Sequence, residues 1–128
     1  MSEARRELGQ SGEAAASAFL QRRGMTILAA NFRCAAGEID LIGQENETVV
    51  FVEVKTRRSV AFGPPKLAVH LRKQRQIVRA AEWFLAARRL TDVPCRFDVL
   101  GVTFPEADED PRIEWVRDAF PAEGLWVG

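Results

Sequence analysis

The segment from Gly37 to Arg58, GEIDLIGQENETVVFVEVKTRR, sets two apolar runs on either side of the polar stretch GQENE. Runs this rich in Ile, Leu, Val and Phe predict two antiparallel strands of a sheet core joined by a turn. Four charged residues, Glu38, Asp40, Glu53 and Lys55, interrupt them. Side chains alternate between the faces of a strand, so these charges constrain how the two strands pair. With the turn centred between Asn46 and Glu47, Asp40 lies opposite Glu53 and Glu38 opposite Lys55, while Ile39 faces Val54 and Leu41 faces Val52. A slip of one residue would set Glu53 against Ile39 and mix the faces, so the pattern selects a single register.

That register brings the Asp40 and Glu53 Cβ atoms to about 5 Å, a separation at which like charges across strands are destabilising. Something must compensate. One reading is a surface charge cluster in which Lys55 and Glu38 neutralise their neighbours. The other is a hard divalent cation, Mg²⁺ or Mn²⁺, held by the carboxylate oxygens, with Lys55 reaching the same spot from its own strand face.

The flanking sequence supplies the layers around this hairpin. SGEAAASAFLQRRG, Ser11 to Gly24, reads as a helix with Ser11 as its cap and Gly24 past its end. MTILAANFR follows as a short strand whose alternation is imperfect. After the breaker AFGPP, Lys66 to Arg89 is the longest periodic element, with Leu67, Leu71, Gln74, Val78, Ala81 and Leu85 forming one predicted buried stripe. CRFDVLGVTF, Cys95 to Phe104, is a further strand, and Arg112 to Val116 a candidate last one. The expected architecture is α/β, a mixed β-sheet flanked by helices in the order α-β-β-β-α-β with one extra strand admitted. A chain of 128 residues suits one domain, with residues 9–104 as core and 105–128 as a C-terminal extension.

Composition narrows the class. No apolar run reaches the roughly 20 residues of a membrane span, and the polar start MSEARRELGQ is not a secretory signal. Cys34 and Cys95 lack metal-ligand spacing and read as plain thiols of a reducing, cytoplasmic compartment. The net charge is zero, which argues mildly against nucleic acid. Its distribution argues the other way: Lys66 to Arg89 carries seven bases against Glu82 alone, and PEADEDP, Pro105 to Pro111, concentrates four acids in what reads as a solvated loop.

With these residues placed, the chain resembles the YraN-like family of predicted endonucleases, distant relatives of the archaeal Holliday-junction resolvases in the PD-(D/E)xK nuclease superfamily. The stretches that carry the resemblance are GEAAASAFLQRRG, ILAANFRCAAGEIDLIG, VVFVEVKTRR, FGPPKLAV, LRKQRQIVRAAEWFL and RFDVLGV, in order between Gly12 and Val102. It implies a restriction-endonuclease-like core. It also implies that Asp40 is the superfamily's aspartate and that Glu53 and Lys55 are its E-x-K pair, with Ile39 where the superfamily name has proline. Glu13, on the first helix, matches an acidic position that completes the site in many relatives.

On this resemblance the chain is expected to hydrolyse phosphodiester bonds of DNA, branched or recombination intermediates among them. Asp40, Glu53, the Val54 carbonyl and Glu13 would hold Mg²⁺ or Mn²⁺, and Lys55 would orient the attacking water. Arg57 and Arg58 are candidates to clamp flanking phosphates, and Lys73 and Gln74 to reach the site from the long helix. Junction-resolving relatives act as dimers, so the resemblance admits a homodimer. Two alternatives stand beside the nuclease: a non-catalytic nucleic-acid-binding module, and a protein-interaction subunit whose acidic cluster holds no metal. Among the remaining residues, His70 reads as a bystander, Asp98 as the ion-pair partner of Arg96, and Trp83, Trp115 and Trp126 as core in preference to base-stacking platforms.

Overall fold

The computed structural model describes residues 3–58, 69–105 and 110–121. Helix α1 (Glu3–Arg22) leads into three antiparallel strands, β1 (Thr26–Cys34), β2 (Gly37–Glu45) and β3 (Thr48–Arg57). Helix α2 (Leu71–Ala87) then carries the chain to β4 (Cys95–Thr103), which lies parallel to β3, and β5 (Arg112–Phe120) closes the sheet antiparallel to β4. The five strands stand in sequence order, β1-β2-β3-β4-β5. Parallel neighbours require a long crossover, and α2 is that crossover. The expected mixed α/β sheet is present, with β5 as the extra strand.

The two helices cover opposite faces. Ala16 and Leu20 of α1 pack with Met25 onto Leu41, Val50, Val52, Val54, Leu100 and Val102. On the other face Ile77, Ala80, Ala81 and Phe84 of α2 meet Ile42, Val49, Phe51, Phe97 and Val99. A row of rings crosses that face: Phe32 and Phe51 each pack edge-on against Phe84, and Phe51, Phe97 and Phe120 stack in succession. Strand β3 is therefore buried on both sides, which accounts for its nearly unbroken apolar run. No helix among the described residues is long and apolar enough to cross a membrane.

Several boundaries differ from the expectations. Helix α1 begins eight residues before Ser11, at Glu3, because EARRELGQ consists mostly of good helix formers; Gly24 ends it at φ 94° as anticipated. Leu71 lies 60% exposed at the first position of α2 instead of in the buried stripe, and Leu67 falls outside the described residues. A seven-residue repeat drifts by about 20° per heptad on a straight α-helix, so the stripe rotates off the sheet toward the N-terminus. The last strand extends past Val116 to Phe120.

The hairpin register matches the charge pattern, with Leu41 opposite Val52 and Glu45 opposite Thr48 around the turn at Asn46. The expected opposition of Glu38 and Lys55 does not form, because the β2–β3 ladder ends at the Leu41–Val52 pair. Glu38 pairs with Arg33 of β1 instead, at 3.2 Å. Nor does Ile39 share a face with Leu41: it packs on the α2 side with Ile42. The cause is a kink shared by β1 and β2, where Asn31 adopts φ 53° and neither it nor Asp40 takes part in the ladder that joins Ala30–Leu41 and Phe32–Ile39.

Gly12 fixes the seat of α1 on the sheet, since a Cβ there would collide with the Thr56 hydroxyl and lie 2.8 Å from the Thr56 Cβ. Gly12→Ala is expected to destabilise the fold by about 1–3 kcal/mol, the usual cost of overpacking. Adding Thr56→Ala should recover only part of that loss, as the Thr56 Cβ remains. Urea unfolding of the single and double variants checks this; an unaffected Gly12→Ala protein would mean that the helix seats elsewhere.

Candidate active site

Beyond Leu41 the main-chain pairing of β2 with β3 stops, and the Asp40 carboxylate takes over, accepting the Val54 N–H at 2.8 Å. Within an extended strand a residue's N–H and C=O point to the same side, so the Val54 carbonyl also points toward this gap. Glu53 lies on the α2 side of β3, and its side chain is almost wholly buried. The Asp40 carboxylate lies beside it, and a neighbouring negative charge disfavours the ionised form of a buried acid. Burial and then the Asp40 carboxylate push the Glu53 carboxyl from the ordinary 4.5 up to about 8.

The cations around the pair offset this only in part. Lys73, from α2, places its ammonium 3.7 Å from Glu53 Oε2, and that oxygen is buried without a hydrogen-bond donor. Lys55 acts on Glu53 through space but forms no ion pair with a described carboxylate. From the opposite face of the sheet, α1 brings Glu13, whose carboxyl is raised by burial and by Asp40 and steadied by a hydrogen bond from Asn31. Gly12, its neighbour, permits this approach by letting α1 lie against Thr56. Among the described residues no three Asp, Glu, His or Cys side chains close on a common point. The oxygen donors at hand are thus the Asp40–Glu53 pair and the Val54 carbonyl, with Glu13 to one side.

The structure therefore gathers Glu13, Asp40, Glu53, Lys55, Val54 and Lys73 at one end of the β2–β3 pair. Arg57 follows on β3, half-buried, with its Nε lacking a partner and its carbonyl accepting the Phe104 N–H at 2.9 Å; Arg58 is exposed beyond it. Gln74 is not brought in. Its amide donates to the Val69 carbonyl at 3.0 Å, and it lines a groove on the other flank of α2 with Leu71, Arg75, Val78 and Pro121. Asn31 was not among the sequence candidates. An asparagine inside a strand candidate, tolerant of positive φ and disfavoured in regular strands, was the available signal.

Asp98 has the structural role expected of it, bonded to Arg96 Nε at 3.0 Å, Trp115 Nε1 at 2.8 Å and the Asp118 N–H at 2.9 Å.

Comparison with known proteins covers most of the chain. The sequence model described as uncharacterised protein family UPF0102 matches residues 12–102. A UPF0102 protein of Geotalea daltonii is 50% identical over 113 residues, 88% of this chain and 88% of its own. One from Caldicellulosiruptor saccharolyticus is 46% identical over 116 residues, 91% of this chain and 98% of its own. A third, from Desulforapulum autotrophicum, is 44% identical over 123 residues, 96% of this chain and all of its own.

The raised Glu53 carboxyl has a measurable consequence. Because its folded pKa exceeds its unfolded one, the native state keeps a proton that the unfolded chain loses, and stability falls as pH rises from about 4.5 to about 8. Glu53→Gln carries no such proton. In metal-free buffer the melting temperature of the wild type should therefore fall relative to Glu53→Gln across that window. A difference that stays constant with pH would contradict the raised Glu53 carboxyl.

Proposed function

The chain belongs to the UPF0102 family, and we propose that it is a metal-dependent endonuclease that hydrolyses phosphodiester bonds of DNA, with the Asp40–Glu53 cluster as its active site. The observation that carries this reading is the carboxyl pair itself, held where the β2–β3 ladder ends, with Glu53 buried and its Oε2 unclaimed by any donor. The resemblance to PD-(D/E)xK nucleases supports the same assignment. It also suggests branched or recombination intermediates as substrates and a homodimer as the working form.

The residues fit a hard divalent cation, Mg²⁺ or Mn²⁺. Such ions are commonly held through one or two carboxylates while keeping several waters. Asp40, Glu53 and the Val54 carbonyl would hold the ion, with Glu13 reaching one of its waters. Bound there, it would supply Lewis-acid polarisation of the phosphate and a water of lowered pKa. The chain's own groups do the rest. Lys55 holds a positive charge beside the phosphoryl oxygens and orients the attacking water. Arg57 and Arg58 grip the neighbouring phosphates, as cations that continue β3 past the carboxyl pair. Lys73 balances the carboxylates from the α2 side.

The test is cleavage of plasmid and junction DNA with Mg²⁺ or Mn²⁺. Asp40→Ala should be inactive. Lys55→Met keeps the packing of the stem and should lose cleavage by about 10²-fold or more while binding DNA nearly as well. Lys55→Met cleaving at the wild-type rate would remove Lys55 from the chemistry; a collapse of DNA affinity would favour a binding module.

A further inference from the structure

Trp83 is 54% exposed on α2, whereas the adjacent Phe84 is buried in the core. Arg72, Gln76, Arg79 and Trp83 are all exposed and follow one another at i, i+4, i+7 and i+11, with Arg75 beside them, so they line one outward stripe of the helix. The guanidinium groups of Arg72, Arg75 and Arg79 make no ion pair among the described residues. The first turn of α2 contains no acid, although cations there oppose the helix dipole. Glu82, the one acid of α2, lines a groove with Arg75 and Arg79 but pairs with neither, so the helix keeps an excess of bases that the neutral total of the chain conceals.

We propose that this stripe is a track for an unpaired nucleic-acid strand, ending in a base stacked on Trp83. The proposal rests on the nuclease reading for its direction, since Lys73 fixes the start of α2 beside Glu53. Ten residues separate Lys73 from Trp83, a rise of about 15 Å, a length that an unpaired strand covers in a few nucleotides. Arginines contact phosphates regardless of sequence, and an aromatic face stacks on any base. Within a duplex the base faces are already covered by their neighbours. Trp83 can therefore engage only an unpaired base, as in a tail, a flap or an opened junction arm. The track selects substrates that carry one a few nucleotides from the cut.

The test measures fluorescence anisotropy of a labelled DNA single strand, a blunt duplex and a duplex with a single-stranded tail, in metal-free buffer so that cleavage plays no part. Trp83→Ala should weaken binding of the single strand and the tailed duplex by about tenfold, leave the blunt duplex unchanged, and be largely rescued by Trp83→Phe. Removing two phosphate contacts with Arg72→Gln and Arg79→Gln together should lower the slope of log K against log salt on the single strand by about 1.4. Unchanged single-strand binding by Trp83→Ala would overturn the proposal, as would an equal loss on the blunt duplex. So would sedimentation showing that Trp83→Ala splits a dimer, since the face would then join two copies of the chain. A protein that binds tails through Trp83 yet never cleaves with Mg²⁺ or Mn²⁺ keeps the track and loses the nuclease reading.

Discussion

A carboxyl group buried without full compensation is the constraint around which this end of the molecule is arranged. The same sheet shows how the fold satisfies a buried acid when it needs only structure. Asp98, fully buried, receives the Arg96 guanidinium, the Trp115 indole N–H and the Asp118 N–H. Arg96 in turn reaches Glu45, which also holds Arg117. Glu53, almost as deep, has one ammonium at 3.7 Å, a neighbouring carboxyl and an oxygen with no donor. Burying polar groups unpaired costs on the order of 1–3 kcal/mol. The contrast between two acids on adjacent strands is the physical basis for reading one as scaffold and the other as site.

The rest of the architecture follows from holding that acid in place. Glu53 is almost as deep as the apolar residues around it because β3 is covered by α1 on one face and α2 on the other. It meets Asp40 because β2 leaves its ladder after Leu41, letting a side chain substitute for a main-chain partner at the Val54 N–H. Charges reach the pair from both faces of the sheet, with Glu13 of α1 acting on Asp40 and Lys73 of α2 on Glu53. Local departures from regular pairing cluster at functional sites, and here the departure lies between the residues that would do the chemistry.

Much of this was legible in the sequence because charge and apolar alternation speak to the same register. The pairing of Leu41 with Val52 was settled by refusing to place Glu53 against an apolar neighbour, and Asp40 and Glu53 do meet. Strict alternation then misplaced Ile39 and set Glu38 against Lys55, since period-two reasoning cannot anticipate a residue at positive φ such as Asn31. The heptad stripe on α2 failed at Leu71 and Gln74 for a related reason, a repeat of seven laid on a helix of 3.6 residues per turn. Lys73 was singled out together with Gln74, but only three-dimensional packing could separate the residue that pairs with Glu53 from the one that caps a carbonyl. Trp83 looked like another core aromatic because periodicity does not distinguish the edge of a buried face from the solvent beyond it.

The account turns on whether a cation takes the place of the proton that Glu53 holds beside Asp40. Calorimetric titration with Mn²⁺ in buffers of different ionisation enthalpy measures both the binding and the protons released. At neutral pH, below the Glu53 value of about 8, binding should release about one proton per ion, and well above that value almost none. Binding without proton release at neutral pH, or no binding at the carboxyl pair at all, would contradict it.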